Sequence, residues 1–260
     1  MKISIATMQK LSKIKNSVYD DIKIEYLYHS NKLEGSTFSM EQLNVLLEQQ
    51  IVTGEHSVND VQETINSLRL FDYVIQTLGE KLTSRLLREY QSILKKNTSD
   101  EMYGLSGDYK KIPNQLRSVD IKLAEPYEVP ELIEGLLERK IETLGDIADF
   151  HQRFEHIHPF QDGNGWIGRF IILRQCLENN IDLTAIDDMY NKEYREALYI
   201  AQTTGELEQL VDVFEKCQER LNEKLHSWIP TIDQVSKEVE EALEKDRTTI
   251  KEISKKHAER

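Results

Sequence analysis

The chain has 260 residues, of which 39% are hydrophobic and 30% are charged, a composition typical of a soluble globular protein. Its 33 Lys and Arg residues against 46 Asp and Glu residues leave a net charge of −13. This excess of negative charge argues against binding to the phosphate backbone of nucleic acids. The length suffices to bury a substantial core without disulfides or metal staples.

The sequence has no features of an exported or membrane protein. No stretch approaches the roughly 20 apolar residues of a membrane span, and Met1 to Lys15 lacks the apolar block of a secretory signal. Cys176 and Cys217 are far apart in sequence and lack the spacing of a disulfide framework or a structural zinc site. We therefore expect a cytoplasmic protein with neither a membrane nor a nucleic acid as partner.

Helical periodicity dominates the N-terminal part of the sequence. Asp20 to Leu33 places its apolar residues near one face, and Gly35 follows, which predicts a helix that ends at Glu34 with a left-handed C-cap. Ser39 opens a capping-box pattern and predicts the start of a second helix. Ser57 to Leu78 has apolar residues at steps of three and four, which predicts a third helix.

The middle of the sequence is also mostly helical. Ser84 to Leu94 predicts one helix, whereas Gly, Pro and Asn interrupt short runs at about 103–122 and predict a small β-hairpin. Helical periodicity returns in Pro130 to Leu144 and again in Asp146 to Ile157. After a loop at His158 to Gly165, a strongly apolar stretch predicts a helix that is buried on most sides and lies centrally.

The C-terminal part changes character after Pro230. Tyr194 to Thr203 and Leu207 to Leu225 predict amphipathic helices, but beyond Pro230 the apolar residues are widely spaced among charges. We expect an all-α protein with one hairpin and three regions. These regions are an N-terminal helical region (1–80), a core (81–225) and a charged helical or flexible tail (226–260).

The stretch most informative about function is HPFQDGNGWIGR, from His158 to Arg169. Gly163 and Gly165 permit backbone angles that direct successive amides into one concavity, and the dipole of the following helix adds positive potential, so we expect an anion there, especially phosphate. His158 can act as a base near neutral pH, and Asp162 can hold a hard cation. With Arg169 one helical turn beyond the glycines, these residue types suit phosphate-transfer chemistry.

Each of these residues also has a purely structural interpretation. An isolated His158 could cap a helix or form a hydrogen bond with a buried polar group of the core. Asp162 could cap the next helix, and Arg169 could form a surface ion pair. The two glycines could serve a tight turn. These interpretations would all have to hold independently, whereas one phosphate site accounts for all the residues together.

The stretch resembles the signature of the Fic family, usually written HxFx(D/E)GNGRxxR. The resemblance implies the Fic helical bundle with a small β-hairpin flap, and an enzyme that transfers AMP from ATP to a protein hydroxyl and releases diphosphate. It implies that His158 is the catalytic base and that Asp162 holds the Mg²⁺ that bridges the α- and β-phosphates. The residues that bind ATP would be Gly163, Asn164, Gly165 and Arg169.

One position departs from the signature, because Trp166 occupies the place of its first arginine. An indole cannot neutralise the charge of a phosphate. The sequence leaves three interpretations open: weaker ATP affinity, a different diphosphate-containing donor, or a variant with reduced transfer activity.

A second motif closes the first helix of this series. The segment from Ser30 to Gly35 is similar to the inhibitory motif (S/T)xxxE(G/N) of many Fic proteins. The resemblance implies that Glu34 pairs with Arg169, so that the γ-phosphate of ATP cannot bind there or the α-phosphate is misaligned for attack. The inhibitory residues would be Ser30, Glu34 and Gly35. The alternative is a solvated carboxylate at a helix end.

By the same resemblance, the hairpin at 103–122 is the flap that registers a target segment by strand addition. An exposed edge presents free amides and carbonyls, so main-chain pairing would place a target hydroxyl near His158. The candidate docking residues are Tyr109, Lys110, Lys111 and Ile112. An ordinary surface hairpin is the alternative.

The sequence therefore predicts a self-inhibited protein adenylyltransferase that acts on a Ser, Thr or Tyr hydroxyl of an unidentified target protein and is able to modify itself. Two alternatives use the same site: removal of AMP from a modified protein, with Glu34 orienting a water molecule, and nucleotide binding with weak or altered donor use because of Trp166. A homo-oligomer, formed through the tail after Pro230 or an exposed face of the first helix, is a further hypothesis.

Overall fold

The computed structural model describes residues 1–115 and 121–258, with side chains as far as residue 246. Within these residues the regular secondary structure is entirely helical, so the all-α prediction is confirmed. No helix in the described part of the chain is long and apolar enough to cross a membrane. The α-helices are α1 (Ile5–Leu11), α2 (Val18–Leu33), α3 (Met40–Gln49), α4 (Val58–Gln76), α5 (Ser84–Leu94), α6 (Ser99–Met102), α7 (Val129–Leu137), α8 (Leu144–Ile157), α9 (Asn164–Glu178), α10 (Asn191–Thr204), α11 (Glu208–Lys224) and α12 (Ile229–Ala258), with 3₁₀ turns at Asp188–Tyr190 and His226–Trp228.

Side-chain caps decide where several helices begin. The capping box at α3 is present: Ser39 Oγ accepts from the amide of Gln42 at 3.2 Å, and Gln42 Oε1 accepts from the amide of Ser39 at 2.8 Å. Thr143 caps α8 in an extended conformation, with φ −129° and ψ 165°. The helix α7 ends at Leu137 and residues 138–143 are not helical, so the prediction of one helix running to Leu144 was wrong.

The first and last helices pack against each other. The helix α1 was not predicted, because seven residues contain too few periods to show a pattern. Thr7 Oγ1 donates to Ser236 Oγ at 3.2 Å, and Ile232 and Val235 of α12 are buried. Of the two expectations for the tail, helix or flexible segment, the structure has the helix as far as Ala258.

The helix α9 lies at the centre of the core, as predicted. All of its residues from Trp166 to Leu177 are buried, and it contacts α2, α4, α5 and α8. The ring of Phe170 lies 5.3 Å from that of Tyr26 on α2 and 6.5 Å from that of Phe71 on α4, measured between centroids. The N-terminal region thus shares one hydrophobic core with the rest of the chain, and α2 packs directly against α9. The division near residue 80 stays a prediction.

The segment expected to form a hairpin, 103–122, contains no strand in its described residues, 103–115 and 121–122. Residues 116–120 of that prediction lie outside the described part. The amide of Lys110 donates to the carbonyl of Pro159 at 2.8 Å, so it pairs with the loop that follows α8 instead of with a neighbouring strand. Gly107 adopts a left-handed conformation with φ 76°, and its amide donates to Gln91 Oε1. Over 103–115 the predicted hairpin is therefore replaced by turns held against the helical core.

Candidate active site

His158 lies at the turn between α8 and the glycine-rich loop. It caps the C-terminus of α8 in a left-handed conformation, with φ 49° and ψ 61°, and its amide donates to the carbonyl of Phe154 at 2.9 Å. A non-glycine residue in this conformation is strained, and such strain concentrates at functional positions. The imidazole lines a cleft that also contains Glu34 and Arg169.

The imidazole of His158 is neutral at physiological pH. Burial, and to a smaller extent the nearby ammonium of Lys110, lower its pKa to about 4. A neutral imidazole has a free lone pair that can accept a proton. The environment therefore keeps His158 in the state that a general base requires.

Asn164 ties the loop to itself. Its side-chain Oδ1 accepts from the amide of Phe160 at 2.8 Å, and its Nδ2 donates to the carbonyl of Phe160 at 2.9 Å. Phe160 is fully buried, with its ring 5.6 Å from that of Tyr109. The Asn164 side chain thus shapes the loop, and the group that it leaves for an anion is its backbone amide.

The two glycines of the loop are required for different reasons. Gly163 caps α9 in a left-handed conformation with φ 86°, and a Cβ there would lie 3.1 Å from the Cε atom of Lys95. A Cβ at Gly165 would collide with Glu34 Oε1, so the carboxylate lies directly against the backbone. The first amides of a helix have no intrahelical acceptors, and together with the dipole they make the start of α9 a site for an anion.

Arg169 is bound by the end of α2. Its Nη2 donates to Glu34 Oε1 at 2.7 Å and to the carbonyl of Ser30 at 3.1 Å, and its Nε donates to Ser30 Oγ at 2.8 Å. Burial disfavours the charged guanidinium, but the Glu34 carboxylate outweighs this effect and raises the pKa of Arg169. The buried guanidinium therefore has its charge balanced by Glu34.

A backbone motif holds Glu34 in place. Gly35 has φ 87°, its amide donates to the carbonyl of Lys32 at 3.0 Å, and the amide of Ser36 donates to the carbonyl of Asn31 at 3.0 Å. This is the Schellman arrangement of a helix C-terminus. The left-handed C-cap expected at Gly35 is thus present, and it fixes the point from which the Glu34 side chain reaches Arg169.

Trp166 does not line the cleft. It is buried, and its Nε1 donates to Asn31 Oδ1 at 2.9 Å, which joins α9 to α2 next to Ser30. The ammonium of Lys95 lies 5.1 Å from the centroid of the indole ring. The residue that departs from the signature therefore serves the contact between the two helices.

Asp162 lies in a cluster of carboxylates around Lys95. The ammonium of Lys95 contacts Asp162 Oδ2, Glu63 Oε1 (2.7 Å) and Asp100 Oδ2 (3.2 Å). Burial opposes ionisation of Asp162, yet Lys95 holds the pKa of this carboxyl below its usual range. One oxygen from each of the three carboxylates lies within 4.8 Å of the others. Such hard oxygen donors fit Mg²⁺, and the Asp162 side chain is 57% exposed and accessible.

Several of the candidate site residues line one cleft of about 890 Å³, a volume in the range of small-molecule sites. It brings together Glu34, His158, Gly165 and Arg169, and α10 contributes Tyr194 and Tyr199 to its lining. The residues that do not line this cleft include Tyr109, Lys110, Lys111, Ile112 and Asp162.

Two of the four expected docking residues face inward. The hydroxyl of Tyr109 lies 2.7 Å from Ser84 Oγ. Lys110 is buried, and its ammonium donates to Asn114 Oδ1 at 2.9 Å and to the carbonyl of Ile157 at 3.1 Å. Of the four expected docking residues, Lys111 and Ile112 have exposed side chains that a target protein could contact, and Ile112 is 63% exposed.

Sequence reasoning missed Glu155 and Lys95. Glu155 lines the cleft, its Oε2 lies 4.0 Å from His158 Nδ1, its Oε1 has no hydrogen-bond partner, and burial raises its pKa to about 8. Its position one helical turn before His158 was a signal that could have identified it. Lys95 had no such signal, because it is 67 residues from Asp162 in sequence.

Comparisons with known proteins place part of the chain in a known family. Residues 81–176 match the model of the Fic/DOC family. A protein of Culex quinquefasciatus named protein adenylyltransferase Fic is 23% identical over 217 residues, which cover 79% of this chain and 42% of the relative. The chain thus spans less than half the length of this curated relative.

Solved structures show the same fold. A Fic domain-containing signaling protein of Bacteroides thetaiotaomicron superimposes with a TM-score of 0.69 at 22% identity, over 84% of this chain and 88% of that chain. Fic-1 (residues 134–508) from C. elegans superimposes with a TM-score of 0.67 at 20% identity, over 87% of this chain and 67% of that chain. The fold is the all-α Fic fold, and residues 81–176 are a domain of the Fic/DOC family.

Proposed function

We propose that the protein is a self-inhibited adenylyltransferase that transfers AMP from ATP to a Ser, Thr or Tyr hydroxyl of a target protein. The observation that carries this proposal is the pairing of Glu34 with Arg169 at 2.7 Å, in the same cleft as a neutral His158. The family match and the adenylyltransferase relatives support the reaction class.

In this reaction His158 accepts the proton of the target hydroxyl while that oxygen forms a bond to the α-phosphorus. The bond between the α-phosphorus and the oxygen that bridges to the β-phosphate breaks, and diphosphate leaves. The amides at the start of α9 stabilise the charge that develops on the phosphate oxygens. Asp162 would hold the Mg²⁺, which supplies positive charge to the phosphates when it is bound.

Inhibition follows from the position of the Glu34 carboxylate. It lies against Gly165 and on Arg169, so it occupies the space and the charge partner that a terminal phosphate needs. A phosphate in the same place would meet a like charge in a partly buried site, where repulsion is weakly screened. Transfer therefore requires that Glu34 leave Arg169.

The proposal is tested by self-modification with ATP labelled on either the α- or the γ-phosphate, in the presence of Mg²⁺. The variants are wild type, Glu34→Gly and Glu34→Gly/His158→Ala. Glu138→Gly is the matched control, because Glu138 also caps a helix C-terminus and pairs with a cation, Lys81, at 2.8 Å, but outside the cleft.

We expect only the α-label to be incorporated. Incorporation should be low in wild type and in Glu138→Gly, at least about tenfold higher in Glu34→Gly, which corresponds to at least about 1.4 kcal/mol, and absent once His158 is replaced. Incorporation of γ-label would indicate a kinase instead. Absence of α-label from folded Glu34→Gly would refute adenylyl transfer from ATP.

Removal of AMP from a modified protein is a second candidate, favoured by the presence of the Glu34 carboxylate beside His158 in one cleft. In that reaction Glu34 would orient a water molecule. The test adds unlabelled wild type or Glu34→Gly to α-labelled protein and follows the release of AMP. Release by wild type alone supports this candidate, and equal stability of the label in both samples rejects it.

A further inference from the structure

We propose that Lys95 is a positioning residue and a resident cation, which fixes the Asp162 carboxylate and keeps divalent cations off the loop when no nucleotide is bound. This inference rests on the proposed function only in assigning the metal to Asp162.

The ammonium of Lys95 occupies the centre of the carboxylate cluster. The side chain is fully buried, and its charge meets Asp162, Glu63 and Asp100 at once. These are the oxygen donors to which a hard divalent cation would bind. The ammonium of Lys95 and a divalent cation would therefore compete for the same carboxylate oxygens.

The surroundings of Lys95 fix the backbone position from which its side chain reaches the carboxylates. The amide and hydroxyl of Thr98 donate to the Lys95 carbonyl at 3.2 and 2.7 Å, and Asn66 Nδ2 donates to the carbonyls on either side, those of Leu94 and Lys96, at 2.8 and 2.7 Å. These contacts fix the backbone at the end of α5, and the side-chain stem lies against the loop at Gly163. Rearrangement of this lysine would therefore disturb both α5 and the loop.

The charge of the cluster also depends on Lys95. One ammonium among three carboxylates leaves a surplus of negative charge, but it provides the close cationic partner that each carboxylate needs in a partly buried site. Without the ammonium, the carboxylates would repel one another. A divalent cation would relieve that repulsion and would bind more tightly.

Trp166 is matched to this arrangement. The ammonium of Lys95 lies 5.1 Å from the indole centroid, within the range of a cation–π contact. An arginine at position 166 would bring a second cation close to this buried ammonium, where repulsion is strong. Trp166 thus replaces the first arginine of the signature next to a positive charge that Lys95, at the end of α5, already provides.

The test measures the affinity of the full chain for Mn²⁺ without nucleotide. The concentration of free Mn²⁺ is read from its electron paramagnetic resonance signal. Lys95→Met should bind Mn²⁺ at least about tenfold more tightly than wild type, whereas Lys95→Arg should bind as weakly as wild type. Lys95→Met/Asp162→Asn should lose the gain, which would assign the bound ion to this loop.

A second variant guards against failure of Lys95→Met to fold. Lys95→Met/Glu63→Gln removes one positive and one negative charge together, and it should still bind Mn²⁺ more tightly than wild type, by a smaller factor. The proposal is overturned if the folded variants that lack the lysine bind Mn²⁺ no better than wild type, or if wild type binds it equally tightly through Asp162. These measurements need neither ATP nor transfer, so failure of adenylyl transfer would leave them interpretable.

Discussion

The indole nitrogen of Trp166 donates to Asn31 Oδ1 at 2.9 Å, across the contact between α9 and α2. Asn31 is the neighbour of Ser30, which accepts two hydrogen bonds from Arg169. The residue that departs from the family signature therefore stabilises the helix end that carries Glu34. A change at position 166 should affect inhibition as well as stability.

Replacement of Trp166 by Phe should lower the free energy of unfolding by about 1–3 kcal/mol, because Asn31 Oδ1 is left buried without its donor. It should also raise self-labelling above the wild-type level, since α2 is held less firmly. Urea denaturation and the α-label assay measure the two effects. In a double-mutant cycle with Asn31→Ala, the two losses should add up to more than the loss in the double variant. Strict additivity would show that this hydrogen bond contributes nothing.

Replacement of Ser30 by Ala should relieve inhibition in part. Arg169 loses the acceptor at 2.8 Å but keeps the Ser30 carbonyl and Glu34. A hydrogen bond to a charged group contributes about 1.5–3 kcal/mol. Its loss should therefore raise labelling at least about tenfold, but labelling should remain below that of Glu34→Gly. Ser36→Ala, just outside the contact with Arg169, is the control. Labelling by Ser30→Ala at the wild-type level would mean that Glu34 alone blocks the site.

The pH dependence of transfer should identify the base. In the Glu34→Gly background, we expect the acid limb to lie well below 6.5, because burial and Lys110 lower the pKa of His158 to about 4. Removal of the positive charge in Lys110→Met should raise the pKa and move the limb toward neutral pH. Lys111→Met is the matched control, since Lys111 is exposed and pairs with Asp108 at 3.1 Å. An equal shift in both variants would exclude the proposed effect of Lys110 on His158.

Replacement of Glu155 by Gln should stabilise the protein in a pH-dependent way. Burial raises the pKa of Glu155 in the folded state from 4.5 to about 8. Between these two pH values, Glu155 is protonated in the folded state and ionised in the unfolded state. Wild-type stability from this group is present below about pH 4.5 and is lost as pH rises through 8. The advantage of Glu155→Gln should therefore grow to a few kcal/mol at pH 8.5, measured by urea denaturation. Glu215→Gln, at an exposed position outside the cleft, is the matched control.

The sequence by itself determined the local features of this protein. The helix starts at Ser39 and Ser57, the left-handed turn at Gly35 and the loop before α9 all depend on residues within a few positions of one another. Caps, glycine conformations and apolar periodicity are properties of short segments, so they can be read without coordinates. The motif at His158 also lies within one such segment, which is why the candidate base could be named.

Only the tertiary structure decided which side chains meet. The Lys95 contact with Asp162 spans 67 residues, and the Trp166 contact with Asn31 spans 135. The same packing buries Glu155 and turns Lys110 inward against the loop after α8. Contacts of this kind depend on how helices pack around α9, and the pKa of a buried group depends on the neighbours that packing brings to it. Neither the helix packing nor the pKa of a buried group can be read from a short segment, so only the tertiary structure gives the charge balance of the site.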